Sequence, residues 1–207
     1  MLSSLLAIIP VNSPASAKRR LAPLLRADLR AQLVSAMLAD VIEACSGSRA
    51  VEGVLVVTPD ATLAPQGVDV LVDAGRGHAA AVTVALAQCR AEGAVVVMAD
   101  CPLVRPETLD LLCDSALPVA VAPAQDGGTN AIALRPPDVL EPAFGVLDGA
   151  TVLVERAGRL GVHVTVVDDP LLALDVDRPD DVERVLELGR TTRTGAFLSQ
   201  ALASAAQ

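Results

Sequence analysis

The 207-residue chain has no tryptophan, no tyrosine and two phenylalanines, so stacking of nucleobases on exposed aromatic rings is excluded as its main binding mode. Lysine is almost as scarce. Lys18 is the single lysine, and the chain has no basic run beyond Lys18-Arg19-Arg20 within a formal net charge of -9. That balance excludes a nucleic-acid or anionic-membrane partner and favours a small-molecule ligand. The four cysteines (Cys45, Cys89, Cys101, Cys113) have no C-x-x-C spacing and lie in or beside apolar segments, so they read as reduced core or near-core residues of a cytoplasmic protein.

What is abundant is aliphatic sequence: 52% of residues are hydrophobic and 20% charged, which describes a globular chain. The 14 glycines and 14 prolines are spread as punctuation, and the length suits one domain. Residues 1–190 form that domain, and 191–207 are a weakly amphipathic tail, either a surface-packed helix or a homodimer contact. Candidate strands are Leu5–Val11, Gly53–Thr58, Val68–Val72, Ala94–Ala99, Val119–Ala122, Ala131–Leu134 and Val162–Val167. Segments of helical period lie between them: Ala27–Cys45, His78–Ala91, Pro106–Asp114, Gly149–Leu160 and Pro179–Leu188. Strand alternating with helix predicts a mostly parallel sheet covered on both faces, a three-layer α/β/α sandwich.

Such sheets bind ligands beyond the carboxyl ends of their strands. The residues that follow the apolar runs are accordingly polar: Asn12 to Arg20, Thr58-Pro59-Asp60, and Asp100-Cys101-Pro102. In "VVVMADCPL" (95–103) an aspartate ends a buried strand, a place where a carboxylate can hold a hydrated divalent metal. In "LALDVDRPDDVERVL" (172–186) an extended backbone puts Asp175 and Asp177 on the same side. A cation would neutralise that pair, whereas Asp180 and Asp181 read as first-turn acids of the following helix. In "APAQDGGTNAIAL" (122–134) Gly127-Gly128 could be a plain hairpin turn. Thr129 and Asn130 next to them would also suit a phosphate or carboxylate. Gly75 and Gly77 lead into a helix whose free N–H groups could meet an anion or a base edge.

The first stretch, "LLAIIPVNSPASAKRRLAP" (5–23), mimics a secretory signal, with an apolar run and Ala15-Ser16-Ala17 as a cleavage site. Its charges follow the apolar run instead of preceding it, so it reads as a first strand and a small-residue loop, with Ser13, Ser16 and Lys18 able to face phosphate.

These segments together resemble the 2-phospho-L-lactate / phosphoenolpyruvate guanylyltransferase family (CofC, also called FbiD) over about residues 5 to 188. "AKRRLAP" is similar to the family's A-K-[ST]-R-L-A and "ADCPL" to its a-D-[LI]-P-L; "MLADV", "APAQDGGTNAIAL", Phe144-Gly145 and "LDVDRPDDV" also match. The resemblance implies a GT-A-like (Rossmann-like) nucleotidyltransferase fold. It implies an Mg²⁺-dependent transfer of GMP from GTP to a small phosphoacid, with release of pyrophosphate, in coenzyme F420 biosynthesis.

Carried over, Lys18 and Arg20 would contact the GTP phosphates as catalytic residues with Asp100. Pro10, Gly75, Gly77 and His78 would surround the nucleotide, and Asp100, Asp175 and Asp177 would hold the metal. Thr129, Asn130, Gly145 and Asp148 would line the acceptor site. Four places depart from the pattern. Asp148 stands for a serine expected to touch the acceptor, Val152 for a histidine, Asn12 for a lysine, and His78-Ala79 for Leu-Asn. Two alternatives stay open: a same-fold nucleotidyltransferase using another nucleotide or acceptor, of molybdopterin or sugar-phosphate type, and a non-catalytic nucleotide-binding paralogue.

Overall fold

The computed structural model describes residues 5–13 and 18–205. Seven strands form one sheet in the order β3-β2-β1-β4-β6-β5-β7. They are β1 (Leu5–Pro10), β2 (Val51–Thr58), β3 (Asp69–Val72), β4 (Ala94–Val97), β5 (Val119–Pro123), β6 (Thr129–Leu134) and β7 (Val164–Val166). The helices are α1 (Ala27–Gly47), α2 (His78–Gln88), α3 (Pro106–Asp114), α4 (Gly149–Leu160), α5 (Pro179–Leu188) and α6 (Arg193–Ala205). β1 pairs in parallel with both β2 and β4, while β6 runs antiparallel to β4 and β5. The alternation of strand and helix thus produces the expected three-layer sandwich with a mostly parallel, mixed sheet.

Two hydrophobic cores follow from the alternation of side chains along the strands. Leu5, Ala7 and Ile9 of β1, with Val95 and Val97 of β4, pack under α1, α3, α5 and α6. Ile8, Val96 and Ile132 point the other way, to Ala81, Val82 and Ala85 of α2 and Leu153 and Ala157 of α4. Ile8 and Ile9 are both fully buried, and each such side chain contributes roughly 1.5–3 kcal/mol of transfer free energy. The central strand is continuous in hydrophobicity because both its faces are covered.

Element ends differ from the periodicity by a few residues. The strand expected over 94–99 stops at Val97, although the Met98 N–H still donates to Asn130 O at 2.8 Å. The helix expected to reach Ala91 ends at Gln88 because Cys89 turns extended and its N–H bonds to Leu86 O. The tail carries α6, whose Leu198 and Ala201 are buried in the first core. Asp40 of α1 ties it down: Oδ1 accepts the Arg193 N–H at 2.9 Å, and Oδ2 accepts the N–H and hydroxyl of Thr194 at 2.8 and 2.6 Å. Among the described residues no helix is long and apolar enough to cross a membrane, and the four cysteines are unpaired.

Strand direction decides where the site can form. β1, β4 and β5 all end at one edge of the sheet, and β6, being inverted, begins there. The loop after β1, the Asp100 segment and the β5–β6 turn therefore share one edge.

Candidate active site

At that edge a carboxylate oxygen from each of Asp100, Asp175 and Asp177 lies within 4.8 Å of the others. Asp100 lies three residues beyond the end of β4. Asp175 and Asp177 lie on irregular chain before α5, with the fully buried Val176 between them facing the core, which realises the same-side spacing read from the sequence. Two backbone ties hold the segments in register. Val176 N–H donates to Asp100 O at 3.0 Å, and Asp181 Oδ2 accepts the N–H groups of Asp177 and Arg178 at 2.9 and 2.7 Å. Asp181 therefore does more than face a helix dipole: it fixes the backbone that carries Asp177.

A cation already sits among these acids. Lys18 Nζ lies 2.6 Å from Asp100 Oδ2 and 2.7 Å from Asp177 Oδ1, with its side chain 9% exposed. Burial pulls the Lys18 ammonium pKa down, but Asp100 and Asp177 outweigh it and the pKa rises. Burial raises the Asp100 carboxyl while Lys18 lowers it further, so the net direction is down. Among the described residues Asp175 makes no ion pair, and the charge of Lys18 acts on it only weakly. Burial, then the charges of Asp100 and Asp177, push it up to about 6. Three oxygen donors in a small volume suit a hard divalent cation, and the bridging ammonium marks the same demand for positive charge.

The cluster opens on a cavity of about 530 Å³, which also takes in Asn12, His78, Thr129, Asn130 and Gly145. Sequence reading therefore brings Lys18, His78, Asp100, Thr129, Asn130, Gly145, Asp175 and Asp177 to one place. Arg20 stays at the rim, 64% exposed and 3.4 Å from Asp177 Oδ2. Pro10, Gly75, Gly77 and Asp148 are not among the residues that line the cavity. Pro10 is the last residue of β1 and buried, while Gly75 and Gly77 precede α2 with positive φ.

Asp148 precedes α4 at φ 52 and turns its carboxylate over Gly127, where Oδ1 lies 2.8 Å from the place a Cβ would take. Val152, which stands for the family's histidine, is half-buried against the second core. Thr58-Pro59-Asp60 does not reach the cavity, because Asp60 turns back to accept the Thr62 N–H and hydroxyl at 3.0 and 2.6 Å. Ala15, Ser16 and Ala17 of the first loop lie outside the described residues.

The hairpin expected at Gly127-Gly128 is present, with Gly128 also lining the cavity, and Asp126, not singled out from the sequence, shapes it by accepting the Gly128 N–H at 3.0 Å. Other features were not foreseen. Val34 and Met37 of α1 supply apolar lining, as do the exposed Val146 and Leu147. Asn12 Nδ2 lies 2.7 Å from His78 Nε2, so two of the four departures from the family pattern meet in space. Burial lowers the pKa of that imidazole, against the pull of Asp100.

The sequence model of the family described as "Guanylyl transferase CofC like" matches residues 5–204. The chain belongs to that family. It is 35% identical over 191 residues to a phosphoenolpyruvate guanylyltransferase from Sphaerobacter thermophilus, covering 87% of this chain and 91% of that one. It is 37% identical over 182 residues to a 2-phospho-L-lactate guanylyltransferase from Haloarcula marismortui, covering 86% and 83% respectively. Among solved structures, a Desulfovibrio desulfuricans G20 protein superposes with a TM-score of 0.79 at 21% identity, over 98% of this chain and 96% of that one. A Mycobacterium tuberculosis H37Rv protein crystallised in complex with manganese gives a TM-score of 0.55 at 26% identity, over 89% and 99%. The family is one of nucleotidyltransferases, and the α/β sandwich and the acidic cluster at its edge agree with that membership.

Proposed function

We propose that the protein is a guanylyltransferase that joins GMP from GTP to a small phosphoacid, phosphoenolpyruvate or 2-phospho-L-lactate, and releases pyrophosphate. The reading rests on one observation: Lys18 and the three carboxylates share a cavity with the Thr129 end of β6. The product would enter coenzyme F420 biosynthesis, in a cytoplasm that keeps the four thiols reduced.

The nucleophile is an oxygen of the acceptor phosphate, largely dianionic at neutral pH because its second pKa is about 6. It bonds to the α-phosphorus of GTP as the bond to the β-phosphate oxygen breaks, and that oxygen leaves on pyrophosphate. No protein base is needed, so the protein's task is positioning and charge compensation. Asp100, Asp175 and Asp177 are the residues that would hold Mg²⁺, which supplies charge neutralisation for the triphosphate.

Lys18, released from its carboxylates, and Arg20 at the rim compensate phosphate charge. His78 and Asn12 line the nucleotide side. The Thr129 hydroxyl oxygen is buried without a hydrogen-bond partner, beside the start of α4 at Gly149, whose Cβ position lies 3.4 Å from it. An acceptor carboxylate or phosphate there would satisfy that hydroxyl.

The test is pyrophosphate release from purified protein with Mg²⁺, each of the four NTPs and a panel of phosphoacids. Release with GTP and either named acceptor is expected. Release only with a sugar phosphate or another NTP would move the protein to a different substrate class, and no release with any pair would overturn the enzymatic reading.

A further inference from the structure

Asn130 lies next to Thr129 in the sequence and would be expected to share its ligand. Its amide is engaged elsewhere. The residue is 4% exposed, and Nδ2 donates to Leu172 O at 2.9 Å and to Ala173 O at 3.1 Å. Those carbonyls begin the segment that carries Asp175 and Asp177. The Asn130 carbonyl accepts the Met98 N–H at 2.8 Å, two residues before Asp100, and Val176 N–H closes the circuit on Asp100 O at 3.0 Å. One residue thus grips both arms of the acidic cluster, one through its backbone and the other through its side chain.

We infer that Asn130 is a positioning residue for the cation site, setting the spacing between Asp100 and the Asp175–Asp177 arm, and does not contact the acceptor. Leu172 is fully buried and Ala173 is 9% exposed, so water cannot readily replace the amide, and without it the arm loses a pair of anchoring bonds. Asparagine suits the post because a carboxamide offers two N–H donors without charge. Aspartate would add a fourth negative charge, and a hydroxyl would reach one carbonyl at most. The inference depends on the acidic cluster being the cation site.

The test measures Mn²⁺ binding to the nucleotide-free protein by electron paramagnetic resonance, together with steady-state KM for the acceptor at saturating metal. Asn130→Ala should raise the Mn²⁺ Kd about tenfold, the usual effect of losing an outer partner of a metal ligand, and leave the acceptor KM within twofold of wild type. Asn130→Ser is the milder second variant should the alanine protein fail to fold, and a several-fold rise in Kd is expected for it. Thr129→Val should show the reverse split, a raised acceptor KM with unchanged Mn²⁺ binding.

An Mn²⁺ Kd within twofold of wild type in a folded Asn130 variant overturns the inference. Asp100→Ala separates the two levels of the claim. If it abolishes Mn²⁺ binding while the Asn130 variants do not alter it, only the positioning role fails. If Asp100→Ala also binds Mn²⁺ normally, the cation-site reading fails with it.

Discussion

Lys18 supplies positive charge to the acidic cluster, and removing it should have two effects of opposite sign. Its Nζ lies 2.6 and 2.7 Å from the carboxylate oxygens of Asp100 and Asp177. With charge centres about 4 Å apart and an effective dielectric of about 20, each pair carries roughly 4 kcal/mol of attraction. Burying the ammonium offsets much of that, and the net loss on breaking a buried pair is about 3–5 kcal/mol. Asp177 is 40% exposed, so solvent screening places the loss near the lower end, about 3 kcal/mol.

For a chain of this size that is a fall in Tm on the order of 6–12 °C in Lys18→Met, measured by calorimetry in EDTA. Metal should reverse the order. The variant has no tethered ammonium to displace, so its Mn²⁺ Kd should fall several-fold below wild type and its melting gain on adding Mn²⁺ should be the larger. A variant that melts within about 2 °C of wild type in EDTA and binds Mn²⁺ no more tightly would refute the exchange of lysine for metal.

The remaining predictions probe the other charges and the scaffold. Asp175 is raised to about 6 by burial and by Asp100 and Asp177, so the fold retains its proton to higher pH than the unfolded chain does. The resulting penalty is absent below about pH 4, grows toward pH 6 and is complete above it. Asp175→Asn should therefore stabilise the metal-free protein at pH 7.5 by about 1–2 kcal/mol after allowance for screening, while abolishing stabilisation by Mn²⁺. Wild-type Mn²⁺ affinity, followed from pH 7.5 to 5, should fall as this carboxyl protonates. Asp148→Ser removes a carboxylate that lies over Gly127, outside the cavity lining but near the proposed acceptor end, where like-charge repulsion across water is roughly 1 kcal/mol. Its kcat/KM for phosphoenolpyruvate should rise about fivefold with the GTP KM unchanged, and equal values for both proteins would show that Asp148 does not bear on acceptor choice. Asp40→Ala leaves the first turn of α6 and the Thr194 hydroxyl without their acceptor. It should lose about 2–4 kcal/mol in denaturant unfolding with both KM values unaltered, and a changed KM would mean that α6 bears on the site.

Legibility followed the range of the interaction. The pairing of Asp175 with Asp177 depends only on local alternation, and the inward-facing Val176 confirms it. The hairpin at Gly127-Gly128 was equally local, and because a hairpin reverses the chain it brings Thr129 to the same edge as Asp100. The rule that polar residues after each strand form the site failed for Thr58-Pro59-Asp60, whose hydrogen bonds close on themselves. What the sequence could not convey was which partner a polar group takes across the fold. Lys18 faces carboxylates that are 82 and 159 positions away, and Asn130 reaches main chain 42 and 43 positions away. Residue type alone does not distinguish an amide aimed at a ligand from one that anchors a loop. Asn12 and His78 each read as isolated departures until they met at 2.7 Å.

The charge at the cluster bears on the order of events. Three carboxylates against one ammonium leave it negative, inside a chain whose formal net charge is -9, so without added cation it repels a triphosphate at short range. Screening does not remove this, since the Debye length of about 8 Å at physiological ionic strength exceeds the 4.8 Å span of the acidic oxygens. One divalent ion held by the three carboxylates would bring them and Lys18 to neutrality, and would leave the ammonium able to face phosphate. Cation and nucleotide should therefore bind cooperatively, and because coupling between two ligands is reciprocal, GTP should tighten Mn²⁺ binding by the same factor by which Mn²⁺ tightens GTP. On the proposed function, the single lysine of the chain would be the hinge of that coupling, since its ammonium, paired with Asp100 and Asp177, would be free to face phosphate when a divalent cation is bound.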